Sequence, residues 1–144
     1  MERRPVCPDS SILVDALTNF DESLAAELHS WIFSSVAMIA PDLIHYEFTH
    51  VLAKHVRNRR VSLDQASDVM EALFSLPIEL IDDDDLHRIA LSHALMNPGL
   101  SGYDAQFVAV SERFGAELWT ADKGLAAVSQ RLGVATRLWV TAPA

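Results

Sequence analysis

Apolar positions along this chain fall into two alternating patterns. Short runs at PVCP near residue 6, VAMIA at 36–40, PIELI at 77–81, AELWT at 116–120 and VATRLW at 134–139 are each four to six residues long. That is the length and texture of strands buried in a parallel sheet. Between them the spacing lengthens to the helical period, predicting helices over 11–19, 22–34, 42–58, 63–75, 84–96, 102–114 and 123–132. Asp21 precedes a stripe of Leu24, Leu28, Trp31 and Ile32, and Ser62 precedes Leu63, Ala66, Val69, Met70 and Leu73. Gly115 and Gly133 stop helices just before strands, where a left-handed residue is wanted. Alternation of strands and helices predicts an α/β domain with five strands and about seven helices.

One helical stretch, HYEFTH at 45–50, sets a glutamate between two histidines and invites comparison with the zinc-protease box H-E-x-x-H. That box needs histidines four residues apart, so that both imidazoles reach one ion from one face. His45 and His50 are five apart, about 140° around the axis at roughly 100° per residue, which excludes shared chelation. With Glu47 as origin, Ile44, Phe48, Val51, Leu52 and His55 form the stripe expected to be buried, while Lys54 and Asn58 lie within about 20° of the glutamate. Glu47 is therefore expected at the border of core and solvent, either on a cleft wall or in a surface pair with Lys54 or His50.

Other acids stand where a parallel sheet gathers chemistry. Side chains just beyond the carboxyl ends of strands meet in one crevice, and Asp9 follows the first strand as Asp122 follows the fourth. Either alone is also an ordinary helix cap. Asp104 opens the helix that feeds the fourth strand, and Ser101 three residues before it fits the S-x-x-D capping box. Capping and function are evenly matched there on local grounds. The run Asp82 to Asp85 reads as a helix start, because acids at an N-terminus satisfy free amides and favour the dipole. Four consecutive side chains cannot converge on one ion without distorting the backbone.

At 144 residues the chain is long enough for one domain with a proper core, and half of its residues are apolar. No signal-peptide pattern opens the sequence and no eighteen apolar residues run together, so a soluble, cytoplasmic protein with no membrane partner is expected. Cys7 is the single cysteine and reads as a buried structural thiol. The net charge of −9 argues against phosphate binding, although Lys54, Arg57, Arg59 and Arg60 cluster within seven positions that contain no acid. A solvated helix end and an RNA-contacting patch account for that cluster equally well.

Taken in order, PDSSILV around Asp9, APDLIHYEFTHVL around Glu47, GYDAQFVAVSERFGAELWTADKGL around Asp104 and Asp122, and the final VATRLW strand resemble the PIN domain, the nuclease fold of VapC-type toxins. The likeness covers nearly the whole chain. Its most specific part is the Y-D-A helix, glycine stop, strand and T-A-D with a following lysine. The resemblance implies a single PIN-like three-layer α/β/α domain over 1–144, with a mainly parallel central sheet and frayed ends at 1–4 and 141–144. It implies that Asp9, Glu47, Asp104 and Asp122 hold Mg²⁺ or Mn²⁺, with hydroxyl support from Ser10 and Thr120. Carboxylates crowded to about 4 Å repel by up to roughly 4 kcal/mol per ionised pair at an effective dielectric near 20, which a hard cation bound through oxygen relieves.

The implied activity is that of a metal-dependent endoribonuclease leaving 5′-phosphate and 3′-hydroxyl ends, the toxin of a type II toxin–antitoxin pair. The implied partners are an RNA substrate, a cognate antitoxin and a second copy in a homodimer. Two departures stand out. Pro8 occupies a place where an apolar strand residue is usual, and the total charge is strongly acidic, with Arg113 and Lys123 as further candidates for local compensation. The rival readings are a receiver-type phosphorylation domain, a housekeeping RNA-processing nuclease, and a PIN-like binding scaffold without catalysis. A receiver would want a paired acid at the first loop and a lysine after the last strand, and neither is present in the right order.

Overall fold

The computed structural model describes residues 3–140. Its elements in order are β1 (Val6–Pro8), α1 (Ser10–Leu17), α2 (Glu22–Phe33), β2 (Met38–Pro41), α3 (Leu43–Arg57), α4 (Leu63–Ser75), β3 (Ile78–Ile81), α5 (Asp84–Met96), α6 (Gly102–Phe114), β4 (Glu117–Thr120), α7 (Lys123–Arg131) and β5 (Thr136–Leu138). Of the ends expected to fray, residues 1–2 and 141–144 lie outside the described residues, and Arg3 and Arg4 carry no regular structure.

All strand pairings are parallel and the order is β3-β2-β1-β4-β5, the middle layer of an α/β/α arrangement. The chain builds outward from β1 through β2 to β3. It then returns along α5 and α6 to lay β4 on the other side of β1. That reversal makes a switch point between β1 and β4, where loops diverge and leave a crevice at the carboxyl edge. A receiver-like sheet has the order 2-1-3-4-5, so the topology excludes that rival.

Pro8 is compatible with a central strand because of where its missing donor points. Backbone amides alternate between neighbours along a strand: Val6 donates to Ala37 at 2.9 Å on the β2 side, and Asp9 donates to Trp119 at 2.9 Å on the β4 side. Pro8 falls on the β2 side, so its missing donor leaves the β1–β2 ladder registered at Val6 and Met38 alone, while the β4 ladder runs on through Pro8 and Trp119. The cost is one amide donor at the end of β1.

Helix stripes match the expected period. In α3, Ile44, Phe48 and Leu52 are buried, and in α6 Phe107, Val108 and Val110 are. Asp83 caps α5 by accepting from the Asp85 amide at 2.8 Å, Asp85 pairs with Arg88, and Asp82 with His87, so the tetra-aspartate run is a helix start as expected. Ser62 and Gln65 form a complete capping box on α4. Helix α1 ends two residues early because the Thr18 hydroxyl turns back onto the Val14 carbonyl and Asn19 adopts a left-handed φ of 59°.

Asp21 does more than begin α2. One of its oxygens accepts from the Leu24 amide at 3.0 Å and the other from the Trp139 indole at 2.7 Å, tying the end of β5 to the start of α2 across 118 residues. Trp139 also stacks on Trp119, whose ring meets Trp31 edge-on. Asp21→Ala removes a cap and leaves an indole N–H unpaired, so urea denaturation should show a loss of about 2 kcal/mol. A loss within about 0.5 kcal/mol would show that the tie is not stabilising.

Candidate active site

The carboxyl edge at the switch point receives acids by three routes. Asp9 and Asp122 leave β1 and β4 directly and cap the helices that follow, accepting from the Ile12 amide at 3.2 Å and the Leu125 amide at 3.0 Å. Asp104 lies in the first turn of α6. Because α6 packs against β1, β2 and β4 and ends at the amino edge, where Gly115 turns the chain into β4, its first turn overhangs the carboxyl edge. Glu47 comes from the second turn of α3 and is half-buried.

The acids are coupled in a chain of like charges, Glu47 with Asp104 and Asp9, and these two in turn with Asp122. Burial pushes Glu47 up from 4.5 to about 7, helped by the charges of Asp104 and Asp9. Asp104 is raised by burial, then by Asp122 and Asp9, against the Ser101 hydroxyl that lowers it. Asp9 is buried and raised chiefly by desolvation; bonds from Thr120, Ser11 and the Ile12 amide pull it down, and Asp122 pushes it up again. Loss of solvation is the largest cause for all three, with like charge adding to it.

Local bonds leave parts of these carboxylates free. Ser101 accepts from the Asp104 amide at 3.0 Å, but the reciprocal bond from the Asp104 carboxylate to the Ser101 amide does not form, and that carboxylate feels the charges of Asp122 and Asp9. Asp9 spends one oxygen on both the Ser11 hydroxyl, at 2.7 Å, and the Ile12 amide. Thr120 is fully buried; its oxygen accepts from the Asp122 amide at 3.0 Å while its hydroxyl serves Asp9, linking two of the acids. One oxygen of Glu47 is buried with no hydrogen-bond partner, and neither Lys54 nor His50 pairs with it.

The other residues singled out in the sequence have the following surroundings. Ser10 is buried, and the hydroxyl that reaches Asp9 is that of Ser11, since the first helical turn sends only one of the two serines back toward the cap. His45 packs edge-on against Phe74 of α4. Arg60 sits over the Phe20 ring at 4.4 Å and contacts His55 at 3.3 Å, so it is engaged at the far end of α3, whereas Lys54, Arg57 and Arg59 are exposed there. Arg113 lies 3.8 Å from Asp83 on α5. Burial pushes the Cys7 thiol up to about 12, which suits a packing role and excludes a thiolate nucleophile. Gly124 is a participant that periodicity does not reveal: a Cβ there would meet an Asp122 oxygen at 3.3 Å.

An all-oxygen donor set with one orphaned buried oxygen fits a hard divalent cation. The set is open: among the described residues, no three acidic, imidazole or thiol side chains are already drawn together into a cation cage. Two of the four acids are anchored as caps, so closing the set falls to Glu47 and Asp104.

The Glu47 shift has a sign that can be checked. A carboxyl whose folded pKa is raised from 4.5 to about 7 holds its proton more tightly in the folded protein. Its stabilising contribution is full below pH 4.5 and is lost as pH rises through 7. In EDTA, wild-type stability should decline across that window, and Glu47→Gln should flatten the decline, gaining on the order of 1 kcal/mol at pH 8 once solvent screening at a half-exposed site is allowed for. Identical pH profiles from denaturant titrations would sink the assignment.

Comparison with known proteins agrees with this fold. The crystal structure of PAE2754 from Pyrobaculum aerophilum superposes with a TM-score of 0.62 at 28% identity, covering 92% of this chain and 89% of that one. Ribonuclease VapC3 of the same organism is 34% identical over 87 residues, which are 59% of this chain and 66% of that protein, just under two thirds of its length. The sequence pattern that defines the PIN domain matches residues 6–130, a stretch that contains all four acids and every strand but β5. The chain belongs to the PIN domain family.

Proposed function

We propose that this protein is a Mg²⁺- or Mn²⁺-dependent endoribonuclease, and that Asp9, Glu47, Asp104 and Asp122 hold the cation. The observation that carries the reading is the unpaired, buried oxygen of Glu47, a carboxyl that also feels the charges of Asp104 and Asp9. A buried carboxylate oxygen without a partner is costly unless something positive meets it. The family membership and the likeness to ribonuclease VapC3 support a ribonuclease.

A divalent ion at these oxygens supplies positive charge to a phosphodiester and to an attacking water. The protein's own part is to hold the ligands. Thr120 and Ser11 orient Asp9, the cap geometry orients Asp122, and the overhang of α6 sets Asp104. Hydrolysis adds water across the bond between phosphorus and the 3′ oxygen, leaving a 5′-phosphate and a 3′-hydroxyl. No side-chain nucleophile is needed. By likeness to VapC toxins, we assign the protein to a type II toxin–antitoxin pair as a homodimer held in check by a cognate antitoxin in the cytoplasm. Among the described residues no helix is long and apolar enough to cross a membrane.

With a broad pool of cellular transcripts, the purified protein should cut in Mg²⁺ or Mn²⁺ and stop in EDTA. Asp9→Asn and Asp104→Asn should each lower the rate by about 100-fold or more, and the cations should raise the melting temperature of the wild type but not of these variants. RNA bound without cutting under every condition would favour the scaffold reading.

Gly124→Ala tests the fit from another side. The added methyl crowds Asp122, so cleavage should fall several-fold while stability stays within about 1 kcal/mol of wild type. Unchanged cleavage by this variant would show that Asp122 yields to the methyl without losing its function.

A further inference from the structure

Helix α3 carries a stripe that neither the core nor the acid cluster uses fully. Leu43, Tyr46, Glu47, His50 and Val51 recur at the spacing of a single helical face and line one hollow of about 470 Å³ together with Tyr103 of α6. The two tyrosines are 73% and 68% exposed, although each is large and aromatic. The hollow adjoins the acids by covalent and by shared contact: Glu47 is part of its lining, and Tyr103 is the chain neighbour of Asp104.

We propose that this hollow is a nucleobase subsite, in which Tyr46 and Tyr103 stack on an unpaired base next to the scissile phosphate. The proposal rests on the ribonuclease reading for the identity of the polymer. Its volume lies in the range of ordinary ligand sites. Its character is aromatic and aliphatic, which suits the π-face that every base presents and requires no sequence. A base held inside a duplex cannot reach it, whereas a splayed single strand can.

Charge points the same way. With a net charge of −9, and with Arg60 already seated on Phe20, the basic patch left for phosphate contacts is the exposed Lys54, Arg57 and Arg59 at the far end of α3. Stacking supplies affinity that does not depend on positive charge, and it fixes the strand beside the carboxylates. Tyr46 and Tyr103 are thus positioning residues.

The test uses a short single-stranded oligoribonucleotide carrying 2-aminopurine at successive positions, bound in Mg²⁺ to protein bearing Asp9→Asn so that it is not cut. Fluorescence should be quenched at one or two adjacent nucleotides. Tyr46→Leu and Tyr103→Leu should relieve the quench and weaken binding about tenfold each, with Tyr46→Phe and Tyr103→Phe restoring both. In the otherwise wild-type enzyme the leucine variants should raise KM more than they lower kcat. An abasic nucleotide at the quenched position, or a complementary strand, should erase the difference between tyrosine and leucine.

Leucine variants that bind and quench like the parent would overturn the proposal. So would leucine variants that change the sedimenting mass while losing equal affinity for abasic RNA, because a second copy of the chain would then occupy the hollow. Cleavage that proceeds without any dependence on the tyrosines leaves the nuclease standing and removes the subsite. Tyrosine-dependent quenching without cleavage in any metal removes the nuclease and leaves the subsite.

Discussion

Like charges held together at the carboxyl edge of the sheet are the constraint around which this domain is arranged. Carboxylates separate when they are free to do so, and those of Asp9, Glu47 and Asp104 are further penalised by burial. Keeping them within reach of one another requires rigid supports. The parallel sheet supplies two of these, since β1 and β4 lie side by side and each delivers an acid at its end. The crossover through α5 and α6 supplies a third, and α3 a fourth.

Helix capping and site building share the same side chains. Asp9 and Asp122 use one oxygen to satisfy free amides at a helix start and keep the rest of the carboxylate for the crevice. A cap is an economical anchor, because the geometry that fixes the helix also fixes the charge. Thr120 joins the two by serving one acid with its hydroxyl proton and the other with its oxygen. Asp104 shows the converse arrangement: its amide, not its carboxylate, makes the cap bond, donating to the Ser101 hydroxyl oxygen.

Much of this was legible in the residues. The two periods located all twelve elements, the spacing of His45 and His50 excluded a zinc box, and the tetra-aspartate run was read as a helix start. Local signals were ambiguous wherever one residue type serves two purposes. Ser10 and Ser11 are chemically alike and adjacent, and only the pitch of the first turn chooses Ser11 as the partner of Asp9. Arg60 looked like its basic neighbours until Phe20, forty residues earlier, was folded beneath it. The stripe at Leu43, Tyr46, Glu47, His50 and Val51 was readable as a spacing, yet no spacing could say that Tyr103 closes the same hollow.

By itself the sequence determined what depends on near neighbours: the strands, the helices, their caps, and the assignment of four acids to strand ends and helix turns. These follow from hydrogen bonding and side-chain periodicity over a few residues, where the chain has little choice. The tertiary structure decided what depends on distant segments meeting. It set the order of the strands, and with it which acids share an edge; it left a Glu47 oxygen buried without a partner and placed Tyr103 beside the α3 stripe. The physical reason is that burial and charge coupling depend on every group nearby in space, and most of those groups are far away along the chain.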